Sequence, residues 1–215
     1  MPRPKKGVNL DTRGRILRAA TDLFARQGYD ATGVERIAGR ARVNKALIYY
    51  YFRNKLGLYQ HVLHAALAGL VARLEATVGR PGSADARLAL YVDGLVGYLD
   101  DQPQLAPIML RELADGGRHL DVAALEQMLQ IPPLLARLIA QGRAEKVFAA
   151  YDPLMLHFLL MGTSLLMTSN MPIRRRVRQL GLAQPPVDGP ATTQALLGVV
   201  RRLLRKDHVD VPIDR

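Results

Sequence analysis

The stretch ARVNKALIYYYFRNKLGLY, residues 41–59, sets three tyrosines and a phenylalanine in an unbroken row, with Lys45 before them and Arg53 and Lys55 just after. A helix sends four consecutive rings in four directions, so they cannot all be core. Capped by Asn44, such a helix puts Ile48 and Phe52 one turn apart on an inward face, with Val43 plugging the turn before them. Leu47 and Tyr51 form a flanking row, and Lys45, Ala46, Tyr49 and Tyr50 come nearer the outside. Tyr51 is open to two readings, a partly buried packing residue or an outward contact. Phenol hydroxyls and ammonium groups pointing outward together suit the phosphate oxygens of a duplex.

Working upstream, Ile16, Leu17, Ala20, Leu23 and Phe24 follow the stripe of an amphipathic helix, with Asp11 or Thr12 to cap its start and QGY at 27–29 to stop it. Thr32 then caps a short helix in which Val34, Ile37 and Ala38 share a face, and GRAR at 39–42 is the turn that follows. A short helix, a tight turn and a second short helix is helix-turn-helix geometry. The N-terminal end of its second helix is the end that meets base edges in a major groove. Ala46 is small enough to allow that approach and to touch a thymine methyl.

Charge is distributed to match. The formal net charge is +11, and residues 1–60 hold 13 Lys or Arg against 4 Asp or Glu, whereas residues 61–215 hold 17 against 15. A basic first quarter on a nearly neutral remainder points to a polyanion-binding module joined to a separate body. The basic start, MPRPKKGVNLDTR, is followed by no apolar segment and reads as a flexible arm over 1–10 rather than a signal peptide. The chain has no cysteine, which excludes disulfides and thiolate chemistry and suits a cytoplasmic protein.

Residues 12–63 resemble the DNA-binding region of the TetR family of transcriptional regulators. The resemblance rests on LFARQGYDAT ending the first helix, on VERIAGRARV, and on NKALIYYYFRNKLGLY. It implies an all-α protein with an N-terminal three-helix DNA-binding domain, residues 11–56, joined to a helical ligand-binding and dimerisation domain, residues 57–215. It also implies a DNA-binding set of Thr32, Asn44, Lys45, Ala46, Leu47, Tyr49, Tyr50, Tyr51 and Lys55. Within that set Thr32 caps the second helix and reaches a phosphate, and Lys55 binds a phosphate at the head of the fourth helix. Ala46 stands where the family often has glycine, and Leu47 where it often has a polar residue, so base readout here leans on methyl contacts. The expected partners are double-stranded DNA, a second copy of the chain and a small-molecule effector, with no membrane, no metal and no other cofactor.

Beyond Asn54 the pattern stays helical to Val78, with GRPGS at 79–83 as a break. Further helices are expected at about 84–101, 105–115, 121–142 (kinked or split at Pro132 and Pro133), 153–170 and 190–206, with a loop at 181–190 and a frayed tail at 207–215. Residues 153–170 are apolar nearly all round, and Ala195, Leu196, Val199, Val200 and Leu203 share a side of 190–206. Pairing of these two helices with their copies makes a four-helix dimer interface, while completion of the monomer core is the plainer reading. Tyr91, Tyr98, Met109, Met128, His157, Phe158 and Met161 are candidate pocket residues, because methionines and aromatics adapt to irregular ligands. Arg111 and Glu112 read as a surface ion pair. The basic run IRRRVR, 173–178, reads first as a solvated cluster, or else as a hold for an anionic effector or a reach to DNA.

No phosphate-cradling glycine loop, nucleophile elbow or HExxH pair is present, so an enzyme is disfavoured. His61 and His64 have an i, i+3 spacing but no Cys or acidic residue near them in sequence. A DNA-binding architectural protein without an effector shares the basic headpiece, yet it does not need a charge-balanced body of this size. The reading that accommodates both parts is a ligand-responsive homodimeric repressor of a pseudo-palindromic operator.

Overall fold

The computed structural model describes residues 6–205. The described residues hold no strand and form α1 (Lys6–Gln27), α2 (Val34–Ala41), α3 (Lys45–Phe52), α4 (Lys55–Val78), α5 (Ala84–Asp101), α6 (Leu105–Ala114), α7 (Val122–Leu129), α8 (Pro132–Ala144), α9 (Pro153–Ser169), α10 (Met171–Gln179) and α11 (Gly189–Leu204). The expected 121–142 helix is two helices. Pro132, which has no N–H to donate, opens α8 at its first turn. The basic run at 173–178, given no secondary structure from the sequence, belongs to α10, which also opens with a proline. Neither Asp11 nor Thr12 caps α1. The helix already begins at Lys6, and the Asp11 carboxylate instead pairs with Arg15 at 3.4 Å, one turn on. Of the arm expected at 1–10, residues 1–5 lie outside the described residues and 6–10 belong to α1; the tail at 207–215 also lies outside them.

The helices group into two compact units. The first takes the chain up to Ala68 together with Gln104–Glu126; the second takes Gly69–Pro103 and the chain from Gln127 onward. Ile16, Ala20, Leu23 and Phe24 of α1 bury against Ile37 and Ala38 of α2, Ile48 and Phe52 of α3, Leu58, Tyr59 and Leu63 of α4, and Ile108 of α6. Phe24 and Tyr59 meet edge to face at 4.8 Å between ring centres, an arrangement that aligns one ring's positive edge with the other's negative face.

Residues 104–126 are tied into this unit by polar contacts as well. Arg111 donates to the carbonyls of Phe24 (3.3 Å), Ala25 and Arg26 (3.5 Å) in the last turn of α1, where carbonyls run out of intrahelical partners. Glu112 is only 1% exposed and accepts from the His119 N–H at 3.0 Å and from its ring Nδ1 at 3.1 Å. The Tyr59 hydroxyl also bonds to Glu112; burial first, and then that carboxylate, push the phenol above its ordinary range. Arg111 and Glu112 are therefore not a surface pair. Adjacent in sequence, they turn to different neighbours because successive helical positions point about 100° apart.

In the second unit, α5 lies against α8, α9 and α11. Its core takes Leu88, Tyr91, Val92 and Leu95 from α5, Leu134, Leu135 and Leu138 from α8, Leu156 and Leu160 from α9, and Leu196, Val200 and Leu204 from α11. Arg201 and Asp85 join α11 to α5 through paired bonds of 2.8 and 2.6 Å. No single helix among the described residues is long and apolar enough to cross a membrane.

Candidate nucleic-acid interface

The turn between α2 and α3 is built by backbone bonds. Arg42 takes a left-handed conformation (φ 53°, ψ 51°), and Val43 N–H reaches back to the Ala38 carbonyl at 3.0 Å. This is a Schellman closure of α2. Val43, half-buried on the core, plugs the turn as its position in the sequence implied. Asn44 then caps α3, its side-chain oxygen accepting the Ala46 N–H at 2.8 Å. Ile48 and Phe52 face inward. Past α3, the Asn54 N–H bonds the Phe52 carbonyl at 2.8 Å around Arg53 (φ 68°, ψ −51°), a γ-turn centred on a non-glycine residue. Asn54 Oδ1 accepts the Gly57 N–H at 2.7 Å at the start of α4.

These constraints leave Asn44, Lys45, Ala46, Tyr49 and Tyr50 exposed on the outer side of α3, Tyr49 at 45% and Tyr50 at 69%. Leu47 and Tyr51 are half-buried and packed on the core. They form the flanking row that helical spacing implies, and Tyr51 packs partly on the core. Lys45 donates to Glu35 Oε1 of α2 at 2.9 Å. That bond lowers the Glu35 carboxyl below its usual range and raises the Lys45 ammonium above it.

Thr32 departs from expectation. Gly33, not Thr32, occupies the cap of α2, and no side chain makes a cap bond there. The Thr32 hydroxyl is fully buried and donates to the carbonyls of Gly28 (2.7 Å) and Leu23 (3.4 Å), so it pins the α1–α2 loop from inside. Lys55 is half-buried beside the same loop. Its ammonium donates to the Tyr29 and Asp30 carbonyls at 3.0 and 3.4 Å and stands 4.1 Å from the centre of the Tyr29 ring. Both residues hold the headpiece together, Thr32 by tying its own loop to Leu23 of α1 and Lys55 by tying that loop to α4.

Behind α3, a crevice of about 320 Å³ is lined by Tyr51, Phe52, Arg53, Gly57, Gln60, His61, His64 and Asp121. His61 Nδ1 lies 2.8 Å from the Gly57 carbonyl, and His64 Nε2 lies 2.7 Å from Asp121. The His64 bond keeps the Asp121 carboxyl below its usual range. Among the described residues no group of three or more His, Cys, Asp or Glu side chains could hold a metal ion.

The expected pocket residues fall in both units. Met109 packs on the core of the first unit, whereas the other six belong to the second. Phe158 is 62% exposed, on the outer side of α9. Met109 is apolar for a packing reason that sequence alone does not separate from ligand contact. Tyr91 is buried and Tyr98 half-buried beside Gly69, where a Cβ would come within 3.1 Å of the phenol Cζ. Met128, His157 and Met161 are half-buried, and burial lowers the His157 imidazole below its ordinary range. A groove of about 380 Å³ in the second unit is lined by Arg178, Gln184, Pro185, Pro186, Val187, Ala191, Gln194 and Ala195, none of the expected set. Arg175, Arg176 and Arg178 are exposed, as a solvated cluster requires. Arg174 is buried and donates to the Pro186 and Met167 carbonyls and to Asn170 Oδ1 at 2.9 Å.

A basic three-helix unit with a capped, outward-facing second helix defines a helix-turn-helix DNA-binding protein. Residues 16–62 match the family described as "Bacterial regulatory proteins, tetR family", and residues 85–189 match "Tetracyclin repressor-like, C-terminal domain". A probable HTH-type transcriptional regulator of Bacillus subtilis, YttP, is 27% identical over 162 residues, covering 74% of this chain and 77% of that one. A tetR-family regulatory protein from Rhodococcus RHA1 has the same fold, with a TM-score of 0.77 at 18% identity over 90% of this chain and 97% of that one. Bacillus subtilis FadR, solved in complex with stearoyl-CoA, superposes with a TM-score of 0.69 at 19% identity over 89% of this chain and 99% of that one. The chain belongs to the TetR family of DNA-binding transcriptional regulators, which are not enzymes.

Proposed function

We propose that the protein is a homodimeric, effector-responsive repressor that reads a pseudo-palindromic operator with the first turn of α3, in the cytoplasm where that DNA lies. The observation that carries this reading is the exposure of that turn: the Asn44 cap, the small Ala46, and the Tyr49 and Tyr50 phenols stand outward from a packed, basic unit. Ala46 approaches base edges, and Tyr49 and Tyr50 donate to flanking phosphates. Lys55 adds its remaining N–H to the backbone contact. Thr32, Leu47 and Tyr51 act one step back by fixing where the exposed groups stand.

Dimerisation is supported by apolar surface that the second unit leaves uncovered. Leu154, Met155, Phe158 and Leu166 of α9 are exposed along one side of the helix, as is Val199 of α11. Gly162 and Gly198 have no neighbour within 4 Å of where a Cβ would stand, which leaves room for a close helix from a second copy. Two headpieces on a two-fold axis then engage half-sites about one helical turn, ~34 Å, apart or somewhat more.

The effector binds the second unit and lowers operator affinity by the difference in its affinity for the two states. An acyl thioester is the first class to test, because FadR was solved with one and this unit's core is largely aliphatic, with Met128 and Met161 half-buried. The test is selection of bound duplexes from random DNA, followed by titration of the winner with acyl-CoA thioesters of rising chain length. Release of DNA together with a raised melting temperature supports the reading. Tight operator binding that no small molecule shifts supports an effector-independent DNA binder instead.

A further inference from the structure

In the free protein the cation at the start of the recognition helix is already neutralised. Lys45 Nζ and Glu35 Oε1 are 2.9 Å apart, and both side chains are exposed on the outer side of the headpiece. Glu35 sits in the first turn of α2, where the positive end of the helix dipole favours a carboxylate. The other two cations of α2 are held against α1, Arg36 by Gln27 at 2.6 Å and Arg40 by Asp22, so neither competes for Glu35. A neutral pair contributes little to phosphate attraction and releases few counterions. It does offer a donor and an acceptor side by side. The major-groove edge of a G·C pair offers the complement: two acceptors on guanine (O6 and N7) next to the amino donor of cytosine N4.

We propose that Lys45 and Glu35 act as one reader of a G·C base pair in each half-site, Lys45 donating to guanine O6 and N7 and Glu35 accepting from cytosine N4. Glu35 is then a specificity-determining residue, and the inference rests on the DNA-binding reading of α3. The carboxylate repels the phosphate backbone and keeps Lys45 from non-specific contact. An A·T pair, which has one acceptor and one donor on adenine and an acceptor on thymine, leaves Glu35 facing an oxygen.

The experiment selects duplexes from a random library with wild type, Glu35→Gln, Glu35→Ala and the Glu35→Ala/Lys45→Ala double variant, then measures affinity against salt. Melting temperatures should fall by only a few degrees at most, because both side chains are exposed and the pair and dipole terms are small. Wild-type half-sites should carry one G·C pair whose replacement weakens binding about tenfold. Glu35→Ala should lose that preference alone, bind random DNA more tightly, and steepen the salt slope by about 1 as Lys45 turns to phosphate. The double variant should restore the wild-type slope but not the preference, and Glu35→Gln should fall between wild type and Glu35→Ala. Glu35→Ala with an unchanged preference at every position, or with all positions relaxed equally, overturns the inference and reduces the pair to a surface ion pair. Wild type that binds no duplex at low ionic strength overturns the DNA-binding reading of α3, and the inference falls with it.

Discussion

Asn44 shows how much a single side chain can fix. Its oxygen satisfies the Ala46 N–H at 2.8 Å and sets where α3 begins. Asn44→Ala should cost about 1 kcal/mol of stability and Asn44→Asp much less, read from thermal unfolding. His157 permits a pH test. Burial lowers its folded-state value, so as pH falls through the unfolded value near ~6.5 the unfolded chain takes up the proton first. Stability drops from there until the folded value is passed. Urea midpoints at pH 7.5 and 5.5 should fall further apart for wild type than for His157→Gln, and equal separations would contradict the assignment. At this scale the sequence yielded residues whose partners are local: Val43, Asn44, Ile48 and Phe52 follow from helical spacing. It did not yield the intramolecular partners of Thr32, Lys55 or Glu112. Thr32 bonds back to Gly28 in its own loop and to Leu23 of α1, Lys55 bonds to Tyr29 and Asp30 from α4, and Glu112 is enclosed by Tyr59 and His119.

The junction between α3 and α4 carries backbone strain in a place that positions Tyr49, Tyr50 and Lys55. Arg53 holds φ 68° and ψ −51° around the Phe52–Asn54 bond, a conformation disfavoured for a residue with a Cβ. Arg53→Gly should relieve it, raising stability by about 1 kcal/mol after the entropy of the added glycine. The same change should weaken DNA binding by removing an exposed cation. If stability falls, the turn is not strained. Most helices were legible because their apolar stripes or prolines announce them, as at Ala84–Asp101 and Pro153–Ser169. α10 was not, because a run of arginines resembles a solvated segment until Arg174 is seen to turn inward to carbonyls of two other segments.

For the whole molecule, charge asymmetry announced two parts, but chain order did not reveal that Gln104–Glu126 folds with the first unit. That membership depends on contacts such as Arg111 with the end of α1, which no local pattern encodes. Met109 and Phe158 are apolar like any pocket residue, and only their surroundings, a packed core for one and open surface for the other, separate them. The exposed face of α9 gives the test of assembly. Phe158→Glu should leave the monomer folded, since that side chain is 62% exposed, while shifting sedimentation from dimer to monomer and weakening operator binding. A dimer that survives places the interface elsewhere. The central claim, that the first turn of α3 reads a major groove, is tested most directly on the selected operator with guanines replaced one at a time by 7-deazaguanine. This substitution removes the N7 acceptor from the major groove and leaves the minor-groove edge unchanged. Binding should weaken about tenfold at one or two positions in each half-site, a difference abolished in an Ala46→Glu variant that blocks approach. Unchanged affinity at every guanine of a G-containing operator would contradict the claim.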